Sequence, residues 1–477
     1  MSDNAISQWP DVDAVEKDLD RLVHTPIRRL SDEILAEYHA WYEANAAGSK
    51  ATFEEAQRYI PGGVQHNLAL NDPWALDIVK AEGAHLWDVD GNRYIDFLQA
   101  GGPTVLGSNY APVREEITQL IADCGPVTGM LHAYEVKLAK LIHDFMPNVQ
   151  KFRMLGSGTE GVMAAVRAAR AYTGKSHVIK VGGAYHGWSD QVVFGLRIPG
   201  TGSLEAAGIP AGALQLTQEV APGDLDELRA KLAANAGNGG TAAVFVEPIG
   251  PESGAHLVRH GFNAQVRELC DEFGALLVFD EVVTGFRLGM GGAQGYFGVK
   301  PDLTVFGKCV AGGYPAAGGI GGSDEVMNVF AGGLTAAGKR ALVGGTLSAN
   351  PMSCAAGYHT LLEMDRTNAP AIAGRAGDRL RAGLSALIAR YDLPYVVYNV
   401  GSVVHLHTSG VLHLSIHDPE FFTELGPRKD MLGQMSMAFS AEGVVTLAGS
   451  RLYTSMADTD EVIDDALARF DRVFARV

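Results

Sequence analysis

Short apolar segments alternate with helical segments through the middle of this chain, and this alternation restricts the possible folds most. Helices are predicted between the segments, for example over 161–172 and 225–234. Strands that alternate with helices usually form a mostly parallel sheet with both faces covered. We therefore expect an α/β fold. The apolar segments predicted to be its buried strands are 152–155, 177–181, 242–248, 275–279 and 303–306.

Two of these strands end on charged residues. The run 275–279 is followed by Asp280 and Glu281, and the run 303–306 is followed by Gly307 and Lys308. The carboxyl ends of parallel strands lie at the edge of the sheet where open α/β folds place their chemistry. An acid and a lysine there suit a Schiff-base lysine with an acid beside a pyridinium nitrogen. At this stage a buried salt bridge explains them equally well.

Composition and charge narrow the possible functions. The chain has 477 residues, of which 47% are hydrophobic and 19% charged, as expected for a globular enzyme with two or three domains. Its formal charge is 38 − 55 = −17, which disfavours nucleic acid and anionic membranes as partners. The four cysteines form no CxxC pair, and the N-terminus has no apolar signal segment. We therefore expect a cytoplasmic protein whose thiols are reduced and buried.

The ends of the chain differ from its middle. Residues 1–55 are predicted to form an amphipathic helical arm that packs on its own domain or on a partner subunit. Residues 56–110 are β-rich and contain a predicted hairpin that turns at Asp90-Gly91. A large domain is predicted over 111–360, and a smaller α+β unit over 361–477. In that last segment the expected elements are helices over 371–391 and 427–442, strands within 402–416, and a final helix from residue 460.

The segment Gly156–Gly161 (GSGTEG) follows a strand and opens a helix. Its backbone N–H groups and the hydroxyls of Ser157 and Thr159 can bind a phosphate at the positive end of the helix dipole. The segment also matches the GxGxxG pattern, but a dinucleotide site needs an acid about 20 residues later, at the end of the next strand. No acid follows that strand until Asp190. A single phosphate is therefore favoured over a dinucleotide, and a glycine-rich helix cap without a ligand is the simplest alternative.

Other side chains near predicted strand ends are weaker candidates. Tyr185 could stack on a planar cofactor, Glu247 ends another buried strand, and Thr346 could cap a helix that begins near Met352 or bind a phosphate. Glycine pairs such as Gly321-Gly322 are expected in loops at strand ends. The four histidines near the C-terminus lack metal-ligand spacing, so we interpret them as strand residues and expect no metal; they are His405, His407, His413 and His417.

Several motifs occur in the order typical of one enzyme family. They are GSGTEG (156–161), AYHG (184–187), FVEP (245–248), FDEVVTGFR (279–287), YFGVKPDLTVFGK (296–308) and GGTLSANP (344–351), with YIPGGV (59–64), YIDFLQAGGPTVLG (94–107) and YTSMADTDEVID (453–464) toward the two ends. Over residues 55–477 the chain resembles the class III aminotransferases of pyridoxal-phosphate fold type I. Within them it is most similar to glutamate-1-semialdehyde 2,1-aminomutase and its transaminase relatives.

The resemblance implies a large α/β domain with a mostly parallel sheet and a small α+β domain made from both chain ends. It implies pyridoxal 5′-phosphate as the cofactor, Lys308 as the Schiff-base lysine, Asp280 as the partner of the pyridinium nitrogen and Tyr185 stacked on the ring. The further cofactor contacts that it implies are Ser157, Gly158, Thr159, His186, Glu247, Val282 and, from the other subunit of a homodimer, Thr346.

The chain departs from the aminomutase at the expected substrate positions. Gln65 and His66 stand where that enzyme has a serine and an arginine, and Gly101 stands where it has a tryptophan. The glutamate expected near the C-terminal end of the pocket is absent, and Arg451 lies in its neighbourhood. These four residues are our substrate-binding candidates. They favour an aminotransferase that acts on another amino acid or related amine and a keto acid.

Two alternatives stay open at this stage, and a third, a catalytically inactive scaffold, is disfavoured because both Lys308 and Asp280 are present. The first is an aminomutase or amino-acid racemase on the same scaffold. The second, more remote, is a nicotinamide-dependent oxidoreductase that uses the segment 156–161.

Overall fold

The computed structural model describes residues 5–125, 129–204, 206–332 and 340–477. These residues divide into two compact units, one of residues 111–368 and one that joins residues 5–110 to residues 369–477. The first four residues of the predicted arm lie outside the described residues. The four-part division at residues 55, 110 and 360 stays a prediction.

Helices and strands follow one another along both units. In residues 5–110 they are α1 (Val12–His24), α2 (Asp32–Asn45), α3 (Ala47–Ala56), β1 (Ile78–Glu82), β2 (His85–Asp88) and β3 (Arg93–Asp96). In residues 111–368 they are α4 (Ala111–Cys124), α5 (Ala133–Phe145), β4 (Lys151–Leu155), α6 (Gly158–Thr173), β5 (His177–Val181), α7 (Ala211–Leu214), β6 (Thr217–Val220), α8 (Leu225–Ala236), β7 (Thr241–Val246), α9 (Pro251–Gly254), α10 (Phe262–Phe273), β8 (Leu276–Asp280), α11 (Gly292–Phe297), β9 (Leu303–Gly307), β10 (Gly318–Gly322), α12 (Asp324–Met327) and α13 (Pro351–Thr367). In residues 369–477 they are α14 (Ala369–Arg390), β11 (Val396–Val400), β12 (Val403–His407), α15 (Phe421–Ala441), β13 (Val444–Val445), β14 (Arg451–Tyr453) and α16 (Asp460–Phe474).

A seven-stranded sheet forms the centre of the unit of residues 111–368, with strand order β4-β10-β9-β8-β7-β5-β6. The pairs from β9 to β6 are parallel, and β10 pairs antiparallel with both of its neighbours. Every residue of β5, β7, β8 and β9 is buried, as expected when helices cover both faces of a parallel sheet. The mostly parallel α/β fold predicted from the sequence is confirmed.

Alternate residues of the strands pack on opposite faces of this sheet. On one face Val178 of β5 and Val278 of β8 pack with apolar residues of α6. On the other face Ile179 of β5 and Leu277 of β8 pack with α8 and α10. Because both faces are covered by helices, the strand ends rather than the faces are free to carry polar side chains.

Strand β10 corrects the expectation that Gly321-Gly322 lies in a loop. Its sequence, Gly-Gly-Ile-Gly-Gly, has little intrinsic preference for a strand. Its glycines instead allow close packing: a Cβ on Gly318 would lie 2.1 Å from the carbonyl oxygen of Ser157, and a Cβ on Gly161 would lie 2.8 Å from the carbonyl oxygen of Gly319. The glycines therefore bring the N-terminus of α6 close to the sheet, a contact that turn chemistry cannot predict.

The second unit contains two smaller sheets, β1-β2-β3-β13 and β11-β12-β14. The predicted hairpin around Asp90-Gly91 is confirmed, since β2 and β3 pair antiparallel with Trp87 opposite Arg93. Strand β13 pairs parallel with β3, with Val444 opposite Ile95. Both ends of the chain therefore build one sheet, as the resemblance implied.

The N-terminal helices pack on this same unit. Tyr38 and Tyr42 of α2 are buried in a cluster with residues of α14, α15 and α16. The Tyr42 hydroxyl donates to the carbonyl of Met437, at 3.4 Å. Helix α2 begins at the cap residue Ser31, whose side chain accepts the N–H of Ile34. The open question of where the arm packs is thus answered for α2, which packs on its own chain.

Two details of the C-terminal segment differ from expectation. Helix α15 begins at Phe421, so Pro427 lies inside it and not in its first turn. A proline there removes one helical hydrogen bond, and tertiary packing offsets that cost, since Phe421 and Met431 are both buried. Within 402–416 only 403–407 is a strand.

None of the described helices has the length and apolar character needed to cross a membrane.

Candidate active site

Three charged residues predicted at strand ends lie at one edge of the seven-stranded sheet. Glu247 follows β7, Asp280 ends β8, and Lys308 follows β9. The strands are adjacent and parallel, with Val246 opposite Phe279 and Asp280 opposite Val305. An acid and a lysine therefore lie at the same edge of the sheet, as the sequence pattern predicted.

Lys308 has a backbone conformation that is unusual for a side chain other than glycine. Its φ is +44°, and it begins the short 3₁₀ turn Lys308–Ala311. Such a left-handed residue costs on the order of 1–3 kcal/mol and persists where the surrounding structure enforces it, which is common at functional sites. This conformation turns the chain sharply at the end of β9, where the lysine is partly buried.

Asp280 is held by two hydrogen bonds. The Nδ1 atom of His186 lies 2.7 Å from its Oδ2, and the N–H of Val282 donates to its Oδ1 at 3.1 Å. Nδ1 of His186 and Oδ2 of Asp280 therefore form one donor–acceptor pair. The two side chains are 0% and 4% exposed. A desolvated, charge-assisted bond of this kind fixes the direction of the carboxylate.

The other ring nitrogen of His186 is a buried polar atom whose hydrogen-bonding capacity no described residue uses. Its Nε2 is buried and has no hydrogen-bond partner among the described residues. Most buried polar atoms in proteins have a partner. The ring itself packs against Phe245, with 5.7 Å between the centroids.

Val282 packs against both the candidate phosphate loop and Gly307, the residue before Lys308. A Cβ on Gly158 would lie 2.8 Å from its Cγ2, and a Cβ on Gly307 would lie 2.7 Å from its Cγ1. Gly187 approaches the same loop from the other side, since a Cβ there would lie 2.5 Å from Oγ1 of Thr159. The glycines therefore allow the segments around residues 158, 187, 282 and 307 to pack closely against one another.

The segment Gly156–Gly161 forms the N-terminus of the sixteen-residue helix α6. The Ser157 hydroxyl accepts the N–H of Glu160 at 3.2 Å, and the Glu160 carboxylate accepts the N–H of Gly156 at 2.8 Å. Ser157 is thus a helix cap, as the simplest alternative stated. The N–H groups of the first helical turn have no acceptor within a helix, so this end also suits a phosphate.

A sequence model of the family described as aminotransferase class-III matches residues 69–473. The chain belongs to the class-III aminotransferases.

Similar proteins agree with this family. Glutamate-1-semialdehyde 2,1-aminomutase 1 of Lachnoclostridium phytofermentans is 38% identical over 364 residues, which cover 74% of this chain and 82% of that protein. An omega-transaminase from Sphaerobacter thermophilus has a TM-score of 0.80 and 28% identity, covering 91% of this chain and 98% of that one. A β-phenylalanine aminotransferase from Variovorax paradoxus has a TM-score of 0.79 and 28% identity, covering 92% and 96%.

Class-III aminotransferases are enzymes that depend on pyridoxal 5′-phosphate, and the edge described above fits that cofactor. The fit rests on three features: a lysine beside an oriented carboxylate, glycines that leave room for close approach, and a helix N-terminus for the phosphate. Family membership also favours the single-phosphate interpretation of Gly156–Gly161 over a dinucleotide site.

Glu247 is hydrogen-bonded to the backbone of Tyr185. Its Oε1 accepts the N–H groups of Tyr185 at 2.9 Å and of Glu252 at 3.0 Å, and its Oε2 accepts the N–H of Ser253 at 2.7 Å. Burial, and then the nearby charges of Asp280 and Glu252, raise the pKa of Glu247 to about 8, against the opposing effect of the N–H donors. Glu247 therefore holds the backbone of Tyr185, whose side chain is half exposed.

The neighbouring acid, Glu281, has a different set of partners. It is fully buried and accepts hydrogen bonds from the N–H groups of Ala293 and Gln294, at 2.6 Å and 3.1 Å, and from the hydroxyl of Thr284 at 3.1 Å. It thus anchors the N-terminal end of α11. The sequence presented Asp280 and Glu281 as one acid pair, and only the structure separates their roles.

Thr346 does not cap helix α13, which corrects one of its two expected roles. Helix α13 begins at Pro351, and its cap is Asn350, whose side chain accepts the N–H of Ser353 at 3.0 Å. Thr346 is exposed in the preceding turn. Its contact with a partner's phosphate stays a prediction.

Two substrate candidates are close together in the second unit. Arg451 on β14 is 7% exposed, and its Nη1 donates to the hydroxyl of Tyr453 at 3.4 Å. The Tyr453 ring packs on the Gly101-Gly102 segment, where a Cβ on Gly102 would lie 3.2 Å from the ring. Gln65 and His66 are exposed, and His66 Nδ1 accepts the N–H of Leu68.

His405 and His407 are strand residues, as expected, whereas His413 and His417 lie outside the strands. The rings of His405 and His407 stack on Tyr398, with centroids 5.1 Å and 5.5 Å away. No group of three or more potential ligands in the described residues is placed to hold a metal ion.

Cys124 is exposed, which corrects the expectation that all four thiols are buried; the other three are buried.

Proposed function

We propose that this chain transfers an amino group between an amino acid, or a related amine, and a keto acid by a ping-pong mechanism. The observation that carries the proposal is the placement of Lys308 and Asp280 at the ends of adjacent strands, with His186 2.7 Å from the carboxylate. When bound, pyridoxal phosphate supplies the electron sink that allows a proton to leave the carbon that bears the amino group.

The side chains of this edge take distinct roles in the proposal. Nζ of Lys308 would hold the cofactor and would move the proton at the substrate carbon. Asp280 would accept the N–H of the ring nitrogen, while His186 and the N–H of Val282 fix the direction of its carboxylate. Tyr185 stacks on the ring.

The phosphate is assigned to the N-terminus of α6. The N–H groups of Gly158 and Thr159, with the hydroxyls of Ser157 and Thr159, supply hydrogen-bond donors at the positive end of the helix dipole. The cap bond that Ser157 already accepts uses a lone pair of its hydroxyl oxygen and leaves its hydrogen to donate.

For the substrate, we propose an amino acid other than glutamate-1-semialdehyde, with Arg451 as the partner of its carboxylate. Arg451 is buried, and a guanidinium in a dry environment suits a carboxylate well. Gly101 stands where the aminomutase has a tryptophan, and the proposal assigns the volume of that missing indole to a bulky or aromatic substrate group. Two similar structures are described as an omega-transaminase and a β-phenylalanine aminotransferase, which supports this class of substrate.

The second candidate function is glutamate-1-semialdehyde 2,1-aminomutase, because the similar protein at 38% identity carries that name. The two functions differ in their need for a second substrate. An aminotransferase requires a separate keto acid for turnover, whereas the aminomutase converts glutamate-1-semialdehyde to 5-aminolevulinate alone.

Purified holoenzyme should therefore be assayed with glutamate-1-semialdehyde alone, and with β-phenylalanine or alanine in the presence and absence of a keto acid. The proposal predicts amino transfer that stops when the keto acid is omitted. Efficient formation of 5-aminolevulinate without an acceptor would overturn it in favour of the aminomutase. The Lys308→Ala variant serves as the inactive control in both arms.

We further propose a cytoplasmic homodimer in which Thr346 completes the partner's phosphate site. Large apolar side chains on the unit of residues 111–368 are more than half exposed, as expected of a surface that a second copy covers; they include Met130, Leu131, Leu342 and Leu347. Light scattering of the holoenzyme should give the mass of two chains. A fully active monomer would contradict this assembly.

A further inference from the structure

A lysine lies inside the core strand that leads to Tyr185 and His186. Lys180 is the fourth residue of β5, and it is 0% exposed, like its buried neighbours Ile179 and Val181. Burying an ammonium group costs several kcal/mol unless all its donors are satisfied. The position therefore needs a physical reason.

That reason is a set of three backbone carbonyls. Nζ of Lys180 donates to the carbonyl oxygens of Ala184 at 3.1 Å, Val192 at 3.2 Å and Phe194 at 2.5 Å. Three acceptors match the three N–H groups of an ammonium ion. The ammonium also lies 4.9 Å from the centre of the Phe194 ring. Burial lowers the pKa of Lys180 to about 8, and the charges of Glu219 and Glu247 oppose this effect.

The three carbonyls belong to the loop of residues 184–194, which follows β5 and contains no helix or strand. This loop carries Tyr185 and His186. The loop is also held by the hydrogen bond from the Tyr185 N–H to Glu247 and by the hydrogen bond between the His186 ring and Asp280. Lys180 ties both the start and the end of the loop to one point of the sheet.

We propose that Lys180 is a positioning residue of the cofactor site, whose ammonium group holds the 184–194 loop so that Tyr185 and His186 meet the cofactor ring and Asp280. This inference rests on the proposed function. Lys180 touches no reacting atom in it, and acts only through the loop.

Lys175 provides a matched control, because it lies just before the first residue of β5, at the end of the strand opposite to the loop. It is partly buried, and its Nζ also donates to backbone carbonyls, those of Phe273 at 2.8 Å and Gly274 at 2.5 Å. Those acceptors lie at the last residue of α10 and in its connection to β8, at the amino end of the sheet. Lys175→Met and Lys180→Met therefore remove the same kind of bond, but only the second releases the loop of Tyr185 and His186.

The test titrates pyridoxal 5′-phosphate into the cofactor-free wild type and both variants. It records the Kd, the absorption maximum of the bound cofactor at full occupancy, and the melting temperature of the cofactor-free protein. We expect Lys180→Met to raise the Kd at least tenfold and to shift the absorption maximum, and Lys175→Met to leave the Kd within twofold of wild type. If Lys180→Met does not fold, Lys180→Gln, whose amide keeps two donors, replaces it with the same readouts and a smaller expected change.

Two results would overturn the inference. One is a Lys180 variant with wild-type Kd and absorption. The other is a loss of affinity that both variants share in proportion to their loss of melting temperature, because that would mark Lys180 as a purely structural residue. Failure of the wild type itself to bind pyridoxal phosphate would refute the proposed function instead, so the two failures are distinguishable.

Discussion

Replacing His186 by leucine tests how Asp280 is held. The substitution removes the donor at 2.7 Å from Oδ2 and leaves the N–H of Val282 on Oδ1 at 3.1 Å. Loss of one hydrogen bond to a charged group costs about 1.5–3 kcal/mol. Every 1.4 kcal/mol is a factor of ten, so the effect on a step that depends on Asp280 is about tenfold to 150-fold.

The assay is a stopped-flow measurement of the first half-reaction, in which amino donor and holoenzyme are mixed and the cofactor absorption is followed. We expect its rate to fall within that range for His186→Leu, since a misdirected carboxylate stabilises the protonated ring nitrogen less effectively. His143→Leu is the matched control. His143 lies on α5, and the Nδ1 atom of its ring is 3.0 Å from the carbonyl oxygen of Val149, so this variant also loses a histidine hydrogen bond but none to Asp280. A His186→Leu rate within threefold of wild type at full cofactor occupancy would refute the reasoning.

Three further substitutions have defined outcomes. Arg451→Ala should raise KM for a carboxylated donor by a factor that corresponds to about 1.5–3 kcal/mol and spare simple amines, as steady-state kinetics with both donor types can show. Glu247→Gln should change the pH dependence of stability: between its ordinary pKa of 4.5 and its folded pKa of about 8, native Glu247 binds a proton that the unfolded chain lacks. The unfolding free energy of the cofactor-free wild type therefore falls as pH rises through this window. In urea unfolding, the slope of that fall should be smaller in the variant, by up to about 1.36 kcal/mol per pH unit. Gly187→Ala, at φ +87° and with a Cβ 2.5 Å from Thr159 Oγ1, should destabilise the protein by about 1–3 kcal/mol in the same unfolding assay.

Each of these predictions has a contradicting result. Equal loss for carboxylated donors and simple amines would remove Arg451 from the substrate site. An unchanged pH slope in Glu247→Gln would mean that the glutamate is ionised at neutral pH despite its burial. A Gly187→Ala variant as stable as wild type would show that the loop has room for a side chain.

The sequence predicted the elements whose signals are local. The strands before Asp280 and Lys308 are continuous apolar runs, and their parallel arrangement follows from the helices between them, so the acid and the lysine could be placed at one edge. The hairpin at Asp90-Gly91 was equally clear, because an Asp-Gly turn has specific backbone requirements.

The rest depends on contacts between distant segments. The glycine-rich strand β10 has little strand propensity, and its pairing with β4 and β9 and the close packing of α6 are contacts between distant segments. Glu281 could not be separated from Asp280 by pattern, since its partners lie around residues 284–294. A lysine within an apolar run was the one sequence signal for Lys180, but its acceptors are backbone carbonyls, which no side-chain pattern reveals.

Reduction of the holoenzyme with borohydride, followed by proteolysis and mass spectrometry, tests the central claim most directly. The account predicts a pyridoxyl group fixed to the peptide that contains Lys308 and to no other lysine. It also predicts that Lys308→Ala takes up no label and loses turnover. A label on another lysine, or a Lys308→Ala variant that turns over at a near-normal rate, would contradict the assignment of this residue and with it the proposed site.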